Sequence, residues 1–287
     1  MATAPLFAHL ATRVVHSPRT GRLLYRVNCL PPSTCDVAAL SPAARRAFRE
    51  LDVAAAVRSF VRGSAEARAL RDWPVFSPMY LGRVAMRVLD KDGTRVVLSE
   101  LDPRLPRGAA LLDVGAGPGD TTLQFSPHFS SLAALEPSPH CRRLLRARGI
   151  DAHGDARGLA GRVFDVVSLQ NVLDRCADPR ALLQFAASAL RDGPSRLWVA
   201  LRLPVDAYQL NWDGSVAPQA APLPADLAGA ETWEASASAA VDFLEDATGL
   251  ELERLSRVPY VTIARRRPGE LLDSLDDALF VLRRRSA

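Results

Sequence analysis

"LLDVGAGPGD" at residues 111–120 runs two leucines into an aspartate and then sets glycines on alternate positions, Gly115, Gly117 and Gly119. Glycine at that density removes side chains where backbone must come close to something. Around this stretch, short apolar runs alternate with helical ones. "AALLDVG" reads as a buried strand, "TTLQFSPHF" as a short helical segment and "SLAALE" as the next strand. "PHCRRLLRARG" is a helix ending on Gly149, and "VFDVVSLQ" is an apolar strand buried on both faces. "DPRALLQFAASALRDG" carries Asp178 as N-cap, Pro179 at the first helical position and Gly193 past the end; "RLWVALRL" is a strand again. This alternation predicts an α/β fold built on an open, mostly parallel sheet with right-handed crossovers.

The tail breaks the rhythm. "LELERLSRVPY" and "DDALFVLRR" read as strands with only a loop between them, so they should pair antiparallel. A parallel sheet finished by an antiparallel strand is the outline of the seven-stranded, Rossmann-like class I methyltransferase sheet, which residues 106–287 are expected to form. Residues 1–105 are expected to be an N-terminal extension and helical cap. In it, Ser41-Pro42 opens "SPAARRAFRELDVAAAVRSFV" and Ser77-Pro78 opens "SPMYLGRVAMRVLD". Residues 204–230, rich in Pro, Ala and Gly without periodicity, read as a long loop insertion.

Composition sets outer bounds. The 287 residues are 48% hydrophobic and 24% charged, with 36 Lys and Arg against 32 Asp and Glu. That surplus is mild, and part of it sits in two short runs, "ARRRP" near residue 266 and "LRRRSA" at the end, so by itself it is no nucleic-acid stripe, though the runs slightly favour RNA. No run reaches the ~18 apolar residues of a membrane span. Four cysteines without a C-x-x-C pair argue against a zinc site or disulfide framework, so no metal is expected. They fit a reducing intracellular compartment, the cytoplasm first. The first 35 residues hold four arginines and no acid, which leaves organelle targeting open.

The glycine loop indicates the ligand class. Its G-x-G-x-G spacing is not the G-x-G-x-x-G that lays a pyrophosphate on a helix N-terminus. Asp113 is expected to point a negative charge into the mouth of the loop, which opposes a pyrophosphate and attracts a ligand carrying an ammonium and a sulfonium. S-adenosylmethionine is such a ligand, with S-adenosylhomocysteine as its product. Glu136 ends the next strand 21 residues beyond Gly115, the offset at which an acid accepts from ribose hydroxyls. Asp155 in "GDA" is placed either to meet the adenine amine or to make a turn. Gln170 completes the expected cofactor contacts.

At the end of "VFDVVSLQ", Asn171 and Asp174 lie three apart, near where a methyl donor would sit. Asp178 already caps the following helix, so Asp174 is not needed for that. Pairing with Arg175 alone would make it a surface ion pair of little worth.

Here a resemblance enters. "FSP" at 76–78, "LLDVGAGPGD", "SPHF" at 126–129, "LQNVLDRCADPRALL", "LRLP" at 201–204, "TWE" at 232–234, "RVPY" at 257–260 and "LDDALFVL" at 275–282 follow one another in a family's order. With the "LLYRVNCLP" entry, the chain resembles the DREV (methyltransferase-like protein 9) family over roughly residues 20–283. The resemblance implies an S-adenosylmethionine-dependent protein-histidine methyltransferase. It implies transfer to the pros nitrogen, Nδ1, of a histidine within His-x-His of a protein or peptide substrate.

The residue types are compatible with that. Neutral imidazole is already nucleophilic at pH 7 and needs a chosen tautomer rather than a strong base. Asp174 is expected to accept Nε2–H, and Asn171 to orient the ring or the substrate backbone. Tyr260, Arg175 and Tyr208 are expected on the substrate side. The chain departs from the family where "VTIARRRPGELLDS" replaces a tyrosine-rich acidic stretch, which bears on substrate preference, and where Pro118 stands in the glycine loop. Its own five histidines form no His-x-His. Methylation of a small molecule or RNA, and a non-catalytic binding scaffold, stay open as alternatives from the residues alone.

Overall fold

Leu111, Leu112, Val166, Val167 and Leu169 are all fully buried, and they lie on two adjacent strands at the middle of the sheet. In the computed structural model the described residues are 14–16, 23–27, 35–50, 108–119, 121–211, 215–263 and 270–285. The strands run β1 (Val14–His16), β2 (Leu23–Val27), β3 (Ala110–Val114), β4 (Ser131–Leu135), β5 (Asp151–His153) and β6 (Val166–Gln170). They continue as β7 (Arg196–Leu203), β8 (Gln209–Leu210), β9 (Val216–Ala217), β10 (Glu251–Ile263) and β11 (Glu270–Arg283). The helices are α1 (Pro42–Ala47), α2 (Thr122–Phe125), α3 (Pro139–Ala147), α4 (Pro179–Ser188), α5 (Ala225–Ala228) and α6 (Trp233–Thr248).

Seven strands make the expected sheet, in the order β5-β4-β3-β6-β7-β11 with β10 paired to β11. The pairs β4–β5, β3–β4, β3–β6 and β6–β7 are parallel, and the C-terminal strand is antiparallel. Because β3 has β4 on one side and β6 on the other, the strand order reverses at its carboxyl end. Open parallel sheets bind ligands at such a switch point.

The chain forms two compact units. Among the described residues, the larger takes in 35–49, β3 through α6, residues 251–256 of β10 and 278–283 of β11. The smaller takes in β1, β2 and residues 257–263 and 270–277. Within it, β1 and β2 pair antiparallel, and β2 runs parallel to the start of β11. These two strands lie in the N-terminal extension, ahead of the two helices expected there, where the sequence reading assigns no element. Leu23 to Val27 carry the β-branched and aromatic character that suits a strand.

The first expected N-terminal helix is much shorter than its pattern. Ser41 caps it as predicted, its hydroxyl accepting from the Ala44 N–H. It ends at Ala47, because Phe48 turns extended to bridge Leu255 and the Arg49 N–H donates to the Leu255 carbonyl at 2.8 Å. Pairing to a strand overrides helical propensity there. The Ser77-Pro78 helix lies outside the described residues.

α6 is the longest described helix, and the sequence reading placed no element there. Thr232 caps it, accepting from the Ala235 N–H, and Gly249 closes it in the left-handed conformation at φ 69°. Its buried face includes Trp233, Ala237, Ala240, Val241 and Leu244. It packs on α1, where Ser238 Oγ accepts from the Ser41 N–H and Phe48 meets Trp233 edge-on. Thr232→Ala removes the N-cap oxygen and should cost about 1 kcal/mol. A denaturant midpoint lowered at constant slope would show it; an unchanged midpoint would mean the cap contributes nothing.

Candidate functional site

The glycine loop leaves β3 with its backbone already committed. The Gly115 N–H donates to the Leu135 carbonyl at 2.7 Å, so the loop crosses toward β4 at once. Gly115, Gly117 and Gly119 all have positive φ, at 72°, 55° and 88°. A Cβ on Gly115 would stand 2.6 Å from Val172 Cγ2, and one on Gly119 would stand 2.6 Å from Leu145 Cδ2. Those two glycines let the loop close onto the β6 exit and onto α3. Gly117 is different: nothing lies within 4 Å of where its Cβ would be. Its N–H donates to Glu136 Oε2 at 2.9 Å.

Glu136, at the tip of β4, is buried, and its other oxygen accepts from the Ser138 N–H at 2.8 Å. Arg142 on α3 holds this corner by donating to the Glu136 and Pro137 carbonyls. Arg148 holds the loop itself through the Pro118 carbonyl at 2.6 Å. Two expected cofactor residues, Gly117 and Glu136, are thus in direct contact.

Asp113 is the last residue but one of β3, just before the loop. It is buried and accepts the Thr122 hydroxyl at 2.6 Å, which ties the first turn of α2 to the sheet. Asp155 is exposed and accepts from the Arg157 N–H at 2.9 Å, capping the helical turn at 156–159. Of its two sequence readings, the turn is the one this geometry displays. Gln170 donates to the Ser168 hydroxyl at 3.0 Å.

Among the described residues, Asn171 is the one non-glycine with positive φ, at 57°. Asparagine tolerates that region because its short amide bonds locally. Here Asn171 Oδ1 accepts from the Arg202 N–H and its own N–H donates to the Ala200 carbonyl. It therefore fastens the β6 exit to β7, and its carbonyl oxygen is engaged in that framework.

Asp174 follows in a turn closed by the Arg175 N–H on the Val172 carbonyl at 2.9 Å. The residue is 3% exposed. Oδ2 pairs with Arg175 Nε at 3.2 Å, while Oδ1 is buried and has no hydrogen-bond partner among the described residues. Burial pushes its carboxyl above the ordinary aspartate range, against the opposing pull of the Arg175 and Arg202 charges. Tyr208 reaches this turn through its backbone, its N–H donating to the Asp174 carbonyl at 2.8 Å. Tyr260 lies on β10 in the smaller unit, and its side chain is outside the described residues.

A cavity of about 340 Å³ lies between these tips and α4, lined in part by Leu135, Ala156, Cys176, Ala177, Leu182 and Phe185. Burial pushes the Cys176 thiol up to about 12, so it is no nucleophile at neutral pH. No metal-holding cluster of His, Cys, Asp and Glu occurs among the described residues. Nor is any helix among them long and apolar enough to cross a membrane.

The family model described as DREV methyltransferase matches residues 80–284, well over half of the chain. The chain belongs to the DREV methyltransferase family. As a DREV methyltransferase it carries the glycine loop, Glu136, Asn171 and Asp174 inside the matched region. Solved structures similar to this DREV chain include the YcgJ protein of Bacillus subtilis. That one is 13% identical with a TM-score of 0.43, over 66% of this chain and 98% of that one. Another is an S-adenosylmethionine-dependent methyltransferase of Clostridium acetobutylicum, 10% identical with a TM-score of 0.43, over 66% and 89%.

An adenosyl donor fits what the switch point offers. Gly117 leaves open space against a buried carboxylate that retains unshared lone pairs beyond its two backbone bonds. The residue that sequence reading missed is Thr122, whose hydroxyl holds Asp113; a threonine opening a helix gives no sign that it reaches back to a strand.

Proposed function

We propose that this DREV methyltransferase uses S-adenosylmethionine to methylate Nδ1 of a histidine within His-x-His of a protein or peptide substrate. The observation that carries the proposal is Asp174 Oδ1, a buried carboxylate oxygen in the turn beside the glycine loop that has no partner among the described residues. Leaving such an acceptor unsatisfied is costly, and an imidazole Nε2–H is a donor of the right kind to satisfy it. Val172, two residues before Asp174, touches Gly115, so the two halves of the site are contiguous.

Bound at the glycine loop, S-adenosylmethionine would supply a methyl carbon made electrophilic by its sulfonium and leave as S-adenosylhomocysteine. Asp174 accepts Nε2–H of the entering ring, which confines the lone pair to Nδ1. As Nδ1 bonds to carbon, the ring becomes cationic, and the same carboxylate then faces an imidazolium and stabilises it. The Nε2 proton is released to water once the product leaves. Asn171 keeps this turn at fixed height by tying β6 to β7. Most of the rate then comes from alignment rather than base strength.

The test is incubation of the purified protein with labelled S-adenosylmethionine, a His-x-His peptide, its His-to-Ala counterpart and total RNA. Label on the His-x-His peptide alone is expected, with mass analysis placing it on Nδ1. Label on RNA alone rejects the histidine assignment. Absence of donor binding by calorimetry rejects the enzyme class.

A further inference from the structure

The 204–230 insertion, which reads as an unstructured loop in sequence, is fastened to the turn that carries Asp174. It contains a two-stranded hairpin, β8 and β9, and the short helix α5. Three of its residues reach the turn. The Tyr208 N–H donates to the Asp174 carbonyl at 2.8 Å, and the Ala221 N–H donates to the Ala177 carbonyl at 2.9 Å. Between them stands Gln219. Its side-chain amide donates both hydrogens, to the Leu173 carbonyl at 2.9 Å and the Cys176 carbonyl at 3.0 Å. Its Oε1 accepts from the Leu223 N–H, which anchors the amide to the insertion itself.

Those two carbonyls flank Asp174 on either side. A single planar amide therefore sets the spacing between the residue before Asp174 and the residue two after it. Among the described residues no group bonds Asp174 Oδ1, so its aim depends on how the turn is held. Arg175 pairs with Oδ2 but is itself a third exposed, and a long side chain of that kind directs poorly. The other charged and titratable groups near the carboxylate, Arg202 and the Cys176 thiol, are not bonded to Oδ1 either.

We infer that Gln219 is a positioning residue: through the Leu173 and Cys176 carbonyls it fixes the turn that aims the Asp174 carboxylate at the substrate ring. The inference rests on the proposed role of Asp174. Groups that orient a reacting group through a hydrogen bond are typically worth 10–100-fold when removed, and small misplacements act on the rate more than on binding.

Gln219→Met keeps the length and volume of the side chain and removes both donors. Gln219→Glu keeps an oxygen toward Leu223 and turns a carboxylate on the two carbonyls. Both variants are expected to lower kcat for the His-x-His peptide about 10- to 100-fold. The peptide KM and the donor Kd by calorimetry should stay close to the parent's, while Tm falls modestly because the Leu173 and Cys176 carbonyls lose their donor. Native-state hydrogen exchange, which needs no substrate, should show faster exchange at the Arg175 and Tyr208 amides. Should those amides exchange at parental rates in both variants, or kcat stay unchanged, Gln219 has no positioning role even though the parent methylates the peptide. A parent enzyme that labels no His-x-His peptide would instead overturn the histidine reading, whatever the exchange rates show.

Discussion

Asp174→Asn is expected to reduce peptide methylation by about 10²- to 10⁴-fold while leaving the affinity for the adenosyl donor unchanged. An asparagine keeps the shape, and its amide oxygen can still face Arg175. It lacks the charge that fixes the ring tautomer and stabilises an imidazolium. Donor contacts are expected at the glycine loop and Glu136, which do not touch this carboxylate, so binding should survive. Equal loss of donor affinity and activity would show a structural role. Stability gives an independent check. Because burial raises the native pKa of Asp174, the native state holds this proton more tightly than the unfolded chain. The group's contribution is therefore most favourable below the unfolded pKa and declines as pH rises through the native one. Asp174→Asn removes that decline, so above the carboxylate range the variant should be at least as stable as the parent. The activity of the parent should in turn fall on the acid side at a pH above the ordinary aspartate value, since a protonated Asp174 no longer carries the negative charge that stabilises the imidazolium.

The parts of this arrangement legible in sequence are those carried by local chemistry. Asp178-Pro179 and Ser138-Pro139 mark helix starts because an N-cap oxygen followed by a proline satisfies the same orphan amides in any fold. The glycine loop is legible because alternate positive φ angles need alternate glycines. Which atoms those glycines admit is not legible. Val172 and Leu145 come from the far side of two crossovers, and only the sheet order brings them there. The same limit explains α1. "SPAARRAF" is a good helix start, yet Phe48 leaves the helix to pair with Leu255, a partner more than 200 residues away. α6 carried a legible cap in Thr232 and a legible stop in Gly249, but its alanine- and serine-rich middle blurs the apolar stripe that normally marks a helix. Asn171 illustrates the reverse difficulty. Its place after the β6 tip suggests a substrate role, and its backbone conformation and its bond to Arg202 add a joint between strands that the residue type does not announce. A polar residue at a strand tip can serve chemistry by holding the tip still.

Glu136→Ala is expected to weaken donor binding by at least ~100-fold, since each hydrogen bond to a charged group contributes about 1.5–3 kcal/mol. In the structure its two oxygens already organise the corner, one on Gly117 and one on Ser138. Removing the carboxylate therefore acts twice. It deletes the acceptor expected for the ribose hydroxyls, and it leaves the Gly117 N–H without the Glu136 partner that fixes the loop. Glu136→Gln separates these effects, because the amide retains one acceptor oxygen and presents a donor in place of the other. Its expected loss is smaller, about tenfold, with one of the two backbone bonds kept. Calorimetric titration of both variants with the adenosyl donor and with S-adenosylhomocysteine measures this, and the two ligands should weaken in parallel because they share the ribose. At saturating donor, kcat for the peptide should recover substantially in the glutamine variant, since Asp174 is untouched. If donor affinity is unchanged in Glu136→Ala, the ribose is bound elsewhere, and the glycine loop and Glu136 form a structural corner alone.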